Sequence, residues 1–162
     1  ESGWPTRMTN RAVRGLELLN ANTSISFEDF NAIKHDNAYS PRYRGYSYLS
    51  LVAELEPNDP EEAQALSLIR EWDLHTDTAN RNAALGVCIL LEEWQAERTG
   101  SALPDTRETL HTCMESVRDV AGRLDPEWGS VQQHGRGQRT WPAAGGPDTL
   151  RAMGGSGLRV QG

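Results

Sequence analysis

The sequence predicts an all-α protein, a bundle-like arrangement of about five to six helices that ends in an irregular segment rich in glycine and arginine. Apolar residues recur at helical spacing through the first four fifths of the chain. No alternating pattern of useful strand length occurs before Trp128. After Trp128 the composition changes to Gly, Gln and Arg, with no period of either kind. We therefore expect a helical domain over residues 1–128 and an irregular tail over residues 129–162.

Length and composition favour one soluble globular domain. A chain of 162 residues is long enough to bury a real core and too short for two domains. No apolar run is long enough to cross a bilayer, so we expect no membrane partner. No signal peptide is visible, and the chain starts at Glu1 rather than Met, which suggests a processed or excised piece.

The charge pattern argues against a nucleic-acid partner. The net charge is −7, and the acidic excess is concentrated between Glu54 and Glu97, so the surface field would repel phosphates. The last third differs, because four arginines lie there among glycines: Arg136, Arg139, Arg151 and Arg159. An RNA-binding arm explains this tail less well than irregular chain that lies on a parent protein.

The first helix is predicted from Thr6 onward. Its apolar face carries Met8, Ala12, Leu16 and Leu19. Arg7, Arg11 and Arg14 lie three and four residues apart on a neighbouring face, so up to three guanidinium groups point the same way. From spacing alone, a solvated basic face explains these arginines better than a binding site does. The helix ends in the polar residues Asn20, Asn22 and Thr23.

Three further helices are marked by their first residues or by their apolar stripes. Ser26, with Asp29 three residues later, forms a variant of the capping box. The third helix has the apolar stripe Tyr46, Leu49, Val52 and Leu55. Asp59 is the expected N-cap of the fourth helix, with Pro60 in its first turn, where proline loses no hydrogen bond. The residues expected to face inward from the fourth helix are Ala63, Leu66, Ile69 and Trp72.

A polar break separates the fourth helix from an Ala-rich helix that should run from about Asn80 to Arg98. The stretch from Asp73 to Asn82 contains no Gly or Pro, so side chains must hold the turn. The candidates to cap the following helix are Asp77, Thr78 and Asn80.

The same break contains a candidate metal motif, with His75 between Asp73 and Asp77. An alternating DxHxD needs extended backbone to bring three side chains together, and no second histidine lies near. Helix capping and hydration explain the motif better, so we predict no metal site. The other histidines are scattered: His35, His111 and His134.

Neither a catalytic triad nor a cofactor site is predicted. The scattered histidines give no local support for a Ser/His/Asp triad. The glycine-rich stretches GGPD at 145–148 and GGSG at 154–157 follow no predicted strand, so they are typical of turns rather than of phosphate-binding loops.

The last two long helices should form an antiparallel hairpin. Thr99-Gly100-Ser101 turns the chain, and Pro104 and Asp105 mark the next helix start. Cys88 and Cys113 lie equally far from this turn, so their levels match and a disulfide is geometrically possible. Two buried free thiols explain the cysteines equally well from the residues alone.

Four segments together resemble the larger chain of penicillin acylase-like enzymes. They are TRMTNRAVRGLELL, SFEDFNAIKHDNAYSPR, WDLHTDTANRNAA and WGSVQQHGRGQRTWPAAGGPDTLRA, in the order and spacing of that family. The resemblance covers roughly residues 4–153. It is nearest to the branch that cleaves acyl-homoserine lactones and lipopeptide amides. These enzymes are N-terminal nucleophile hydrolases, in which a serine freed by self-cleavage attacks an amide and its own α-amino group serves as base.

The resemblance implies a helical insert and a return into the catalytic core, without the nucleophile. Neither the Ser-Asn start of the family's larger chain nor its oxyanion-binding Asn is present, so we expect the chain alone to be inactive. The implied partners are the remaining segments of the parent acylase, namely the small chain and the catalytic core, and an N-acyl small-molecule substrate. The implied location is periplasmic or secreted, and such an oxidising compartment favours the disulfide.

One functional residue carries over by position. The family places an arginine seven residues before the paired leucines of its first helix, and counting back from Leu18-Leu19 gives Arg11 as the catalytic candidate. Arg7 is the competitor if the helix is registered one turn earlier. The turn departs from the family at Thr78-Ala79, where a serine is frequent. The alternative from a different class is a stand-alone helical protein-interaction module with an acidic face.

Overall fold

The computed structural model of the chain describes residues 8–151. Within this range there are seven helices and one two-stranded sheet, which confirms the mostly helical class. The helices are α1 (Asn10–Asn20), α2 (Phe27–Lys34), α3 (Gly45–Ala53), α4 (Pro60–Glu71), α5 (Ala83–Thr99), α6 (Thr106–Ala121) and the short α7 (Trp128–Val131). The strands are β1 (Gln133–Arg136) and β2 (Arg139–Pro142). No helix in the described part is long and apolar enough to cross a membrane.

Three of the helix starts that were predicted from short polar residues are confirmed, those of α2, α4 and α6. Ser26 and Asp29 form a reciprocal capping box at the start of α2. Asp59 accepts hydrogen bonds from the first free amides of α4, and Asp105 does the same for α6. These bonds satisfy N–H groups that have no partner inside the helix, so each cap determines where its helix begins.

The prediction that Asp77, Thr78 or Asn80 caps α5 is wrong. This helix begins after Asn82, and the structure shows no side-chain cap there. Two of the three candidate side chains bind elsewhere: Asp77 accepts from Asn37 Nδ2, and Asn80 Oδ1 accepts the amide of Asn82. The polar break therefore uses its side chains to hold the turn itself and to bind a distant loop.

Helix α5 is the centre of the core. It packs against α3, α4 and α6, and residues from Ala83 to Leu90 are all buried. A helix that is hydrophobic all round is one that other elements surround. Trp72 lies so close to Gly86 that an added Cβ would be 2.1 Å from Trp72 Cε3. Only glycine at this position allows the indole to lie on the α5 backbone.

The antiparallel pair α5 and α6 is joined by a disulfide between Cys88 and Cys113, with Cα atoms 5.8 Å apart. Both residues are buried in the core, so the structure decides between the two alternatives in favour of the bond. Closing a sequence separation of 25 residues stabilises the folded chain by about 3 kcal/mol.

The C-terminal tail is less irregular than expected. β1 and β2 form an antiparallel hairpin, with Gln133 opposite Pro142 and the turn glycine Gly137 at a φ of 63°. Every residue of the two strands is exposed, so no alternation of polar and apolar residues marked them. Beyond the hairpin, Ala143, Ala144 and Thr149 are buried, so part of this tail is packed against the rest of the chain. The division of the chain at residue 128 stays a prediction.

One inward-facing position of α4 was also predicted wrongly. Ala63 is exposed, whereas its neighbour Glu62 is only 2% exposed. The Glu62 carboxylate accepts hydrogen bonds from Arg107 Nη1 at 2.6 Å and from the Asn58 amide at 2.7 Å. His111 Nε2 lies 2.6 Å from the other carboxylate oxygen. These partners, His111 first, lower the pKa of Glu62 to about 2 and allow an ionised side chain to be buried.

We predict that Glu62 makes the fold sensitive to acid. Its pKa lies below the ordinary value of 4.5, so the unfolded chain binds the proton more readily than the folded chain. The stabilisation is present above about pH 4.5 and is lost as the pH falls towards 2. Urea unfolding from pH 7 to pH 3 should show a steeper loss of stability for the wild type than for Glu62→Gln. Equal pH slopes for the two proteins would contradict this assignment.

Candidate functional site

The polar break between α4 and α5 lies against the loop at residues 36–40. The amide and the hydroxyl of Thr76 both donate to the Asn37 carbonyl, at 3.2 and 2.6 Å. The Tyr39 amide donates to the Leu74 carbonyl at 2.9 Å. Leu74 has a φ of 66°, which is uncommon for a residue with a branched side chain and marks local strain. Backbone pairing with the loop therefore holds the break in a conformation that the local sequence does not favour.

The segment at residues 145–151 closes the other side of the break. The Gly145 amide donates to the Thr76 carbonyl at 3.1 Å, and Trp128 Nε1 donates to the Gly145 carbonyl at 3.0 Å. Further along, the Arg151 amide donates to the Asp36 carbonyl at 2.8 Å. We call the meeting point of residues 36–40, 74–77 and 145–151 the junction.

The first turn of α1 is attached to this junction through Asn10, which is fully buried. Its Oδ1 accepts the Ser40 amide at 2.8 Å, and its Nδ2 donates to the carbonyls of Ala38 and Asp148 at 3.2 and 3.0 Å. One side chain thus satisfies backbone groups on two segments that are far apart in the sequence. The beginning of α1 is consequently a fixed point of the structure.

Arg11, the catalytic candidate, follows Asn10 and is exposed. Its Nε donates to the Thr149 carbonyl at 3.1 Å. Within residues 8–151, the two terminal nitrogens of this guanidinium have no hydrogen-bond partner. The structure therefore presents a cation that is anchored at one nitrogen and has donors left for another molecule or segment.

The other arginines of the basic face differ from Arg11. Arg14 forms a two-point ion pair with Asp36, with nitrogen to oxygen distances of 3.0 and 2.9 Å. The hydrogen bond to Asp36 raises the pKa of Arg14, so this arginine is a structural link between α1 and the junction. Arg7, the competitor of Arg11, lies outside the described residues.

The DxHxD motif forms hydrogen bonds within the protein. Asp73 Oδ1 accepts the His75 amide and Asn80 Nδ2, at 3.0 and 2.9 Å. His75 Nδ1 lies 3.2 Å from Asn37 Oδ1, and Asp77 accepts from the amide group of the same asparagine. Among the described residues, no group of three or more His, Cys, Asp or Glu side chains is placed to hold a metal ion.

Exposed apolar residues concentrate on α1, on α2, between the two helices and just before α1. Six of the nine large hydrophobic residues that are exposed in the described part come from this region, which leads us to define them together as the α1–α2 apolar surface. They are Met8, Leu16, Leu19, Ile25, Phe27 and Phe30. An open groove of about 710 Å³ lies beside α1, between Leu16 and Arg42. Exposed apolar patches of this kind are typical of contact surfaces.

Comparison with known protein families shows to which family the chain belongs. The family model described as Penicillin amidase matches residues 1–159. The chain belongs to the penicillin amidase family. Among curated proteins, none matches the chain. The family match confirms the resemblance carried by the four sequence segments, and it makes the chain part of an acylase-like hydrolase.

Within this penicillin amidase chain, the structure shows where the predicted site residue Arg11 lies and which other residues hold its surroundings. Arg11 contacts the C-terminal segment through the Thr149 carbonyl, but its catalytic role stays a prediction. Asn10 and Asp148 were missed. The only sequence signal for Asp148 was the GGPD turn, and Asn10 was indistinguishable from a surface residue at a helix start.

We predict that Asn10→Ala destabilises the chain by about 2 to 3 kcal/mol, because it leaves buried backbone groups without their partners. Asn20→Ala is the matched control, since it changes the same residue type at the exposed end of the same helix. The measurement is the free energy of unfolding in urea. A cost for Asn10→Ala no larger than that for Asn20→Ala would show that the buried hydrogen bonds contribute little.

Proposed function

We propose that this chain is the helical portion of an amidohydrolase that cleaves an N-acyl amide bond with an N-terminal serine carried by another segment of the same protein. The observation that supports it most directly is the exposed Arg11 guanidinium, anchored at the junction of a penicillin amidase chain. The substrate in this proposal is a small N-acyl compound such as an acyl-homoserine lactone or a penicillin.

The proposed partners are the remaining segments of the parent acylase, its small chain and its catalytic core. The α1–α2 apolar surface supports this proposal, because an exposed residue such as Phe27, at 78% exposure, gains free energy when another protein surface covers it. Arg11 lies on the same helix as Leu16 and Leu19, within about two turns of the covered surface.

Arg11 would act through its two terminal nitrogens, which have no hydrogen-bond partner within residues 8–151. In acyl transfer, negative charge develops on the carbonyl oxygen, and fixed donors aimed at that oxygen or at the chain around the nucleophile lower the barrier. The hydrogen bond from Nε to the Thr149 carbonyl fixes the plane of the guanidinium and leaves its terminal nitrogens for this task. A fixed charge of this kind stabilises a developing negative charge more strongly in a covered site than in open water.

The proposed location is periplasmic or secreted. The disulfide between Cys88 and Cys113 supports it, because such bonds form and persist in oxidising compartments.

We predict that the purified 162-residue chain hydrolyses no amide, whereas the full-length protein cleaves at least one member of a panel of N-acyl substrates. The panel contains penicillin G, N-dodecanoyl-homoserine lactone and an acylated lipopeptide, with amine release as the readout. Replacing the first serine of the mature larger chain with alanine should abolish the activity.

The proposal would be refuted if the isolated chain hydrolysed an amide and lost this activity when one of its own residues was changed. An open reading frame that begins near Glu1 would refute it as well and would favour the stand-alone interaction module.

We also predict that Arg11→Ala in the intact enzyme lowers kcat/KM by about a hundredfold, the usual effect of removing one donor to a developing oxyanion. The helix should remain, because alanine is the better helix former. Arg7→Ala is the comparison variant, one turn earlier. A silent Arg11→Ala together with an inactive Arg7→Ala would show that the register is wrong by one turn.

A further inference from the structure

We propose that Asp148 is a positioning residue for Arg11. From the far end of the chain, its carboxylate holds the first turn of α1 and so determines where the guanidinium is presented. This inference rests on the proposed role of Arg11, but the position of the guanidinium can be tested without any reaction.

Asp148 binds the start of α1 through two different groups. Its Oδ2 accepts the Asn10 amide at 2.6 Å, and its main-chain carbonyl accepts Asn10 Nδ2 at 3.0 Å. The positive charge of Arg11 also acts on this carboxylate, because it works to lower the pKa of Asp148 against the larger effect of burial, which raises it. The carboxylate therefore occupies the end of the helix where amides lack partners and the helix dipole favours negative charge.

The backbone of Asp148 has the conformation that this double contact needs. Its φ of 62° lies in the left-handed region, which aspartate tolerates better than most residues. Asp148 is only partly exposed, and burial raises the pKa of its carboxyl group despite the stabilising contacts from Asn10 and Arg11. Partial burial of the carboxylate and the left-handed backbone both cost free energy. The hydrogen bonds from the first turn of α1 offset these costs.

The next residue transmits this contact to the Arg11 side chain. Thr149 is fully buried, and its hydroxyl bonds to both the amide and the carbonyl of Gly146, at 3.0 and 2.9 Å. Its carbonyl is the acceptor for Arg11 Nε. Asp148 holds the backbone of the first turn while Thr149 holds the guanidinium. Releasing the carboxylate would allow the first turn to fray and the Nε bond to open.

Asp36 provides a matched control. It is a carboxylate at the same junction, and it pairs with Arg14, one turn further along α1. Removing its charge weakens the attachment of the same helix but leaves the bonds of Asp148 and Thr149 in place. If Asp148 only supported the fold of α1, removing its charge and removing the charge of Asp36 would have the same effect on the Arg11 side chain.

The first test observes the Arg11 Nε–H group by ¹⁵N NMR in the 162-residue chain. Two variants remove the carboxylate: Asp148→Asn keeps the size of the side chain, and Asp148→Gly makes the left-handed φ free of strain, so that folding is retained. Both should increase the exchange rate of the Arg11 Nε proton at least about tenfold and shift its signal, because the hydrogen bond opens more often. Asp36→Asn should lower the melting temperature without this change.

An unchanged Arg11 Nε–H signal in folded Asp148→Gly, or an equal change in Asp36→Asn, would overturn the proposal.

The second test is a double-mutant cycle in the intact enzyme with penicillin G and N-dodecanoyl-homoserine lactone. Asp148→Gly should lower kcat about tenfold with a smaller change in KM, whereas the double variant with Arg11→Ala should be no slower than Arg11→Ala alone. Additive losses would show that Asp148 does not act through Arg11. A silent Arg11→Ala would refute the proposed role of Arg11, and the NMR result would still decide the position of its side chain.

Discussion

The structure depends on how the polar break between α4 and α5 satisfies its buried backbone. Thr76 is fully buried outside any helix, so its amide and carbonyl need partners from elsewhere in the chain. The amide finds the carbonyl of Asn37, and the carbonyl finds the amide of Gly145. These two bonds require the loop at residues 36–40 and the tail at residues 145–151 to lie on opposite sides of the break. The junction, and with it the place of α1, follows from that requirement.

The helical core is specified in part by buried charges. Glu93 on α5 is 5% exposed, and it lies 3.1 Å from Arg44 Nη2 and accepts the Tyr43 hydroxyl at 3.2 Å. Burial, with the charge of Glu93, raises the pKa of Tyr43, so this hydroxyl stays a donor. Glu93, like Glu62 on α4, is thus a buried carboxylate whose partners lie on other segments of the chain. Such pairs contribute less net stability than their Coulomb energy suggests, but an arrangement that separated them would leave a charge buried alone.

Local patterns predicted the helices and most of their caps, because periodicity and capping are properties of neighbouring residues. They did not predict the junction, since Asn10 and Asp148 are separated by 138 positions and meet only in the folded chain. Glu62 was missed for the same reason, because its partners Arg107 and His111 lie on α6. The β1–β2 hairpin was not predicted, because both of its strands are exposed and show no alternation of polar and apolar residues. For the candidate site, family resemblance selected Arg11, whereas the residues that hold it required the structure.

The position of α1 is set by polar bonds rather than by burial of its apolar residues. Asn10 is the only residue of α1 that is buried, and no residue of α1 or α2 belongs to the core cluster around α5. Hydrogen bonds and ion pairs are directional, so they define where a helix lies even when its apolar face stays open. The apolar face of α1, with Leu16 and Leu19, thus remains available to a second body while Arg11 is already fixed. In the proposed assembly with the remaining segments of the acylase, such a helix makes its contact without first leaving the core of its own chain.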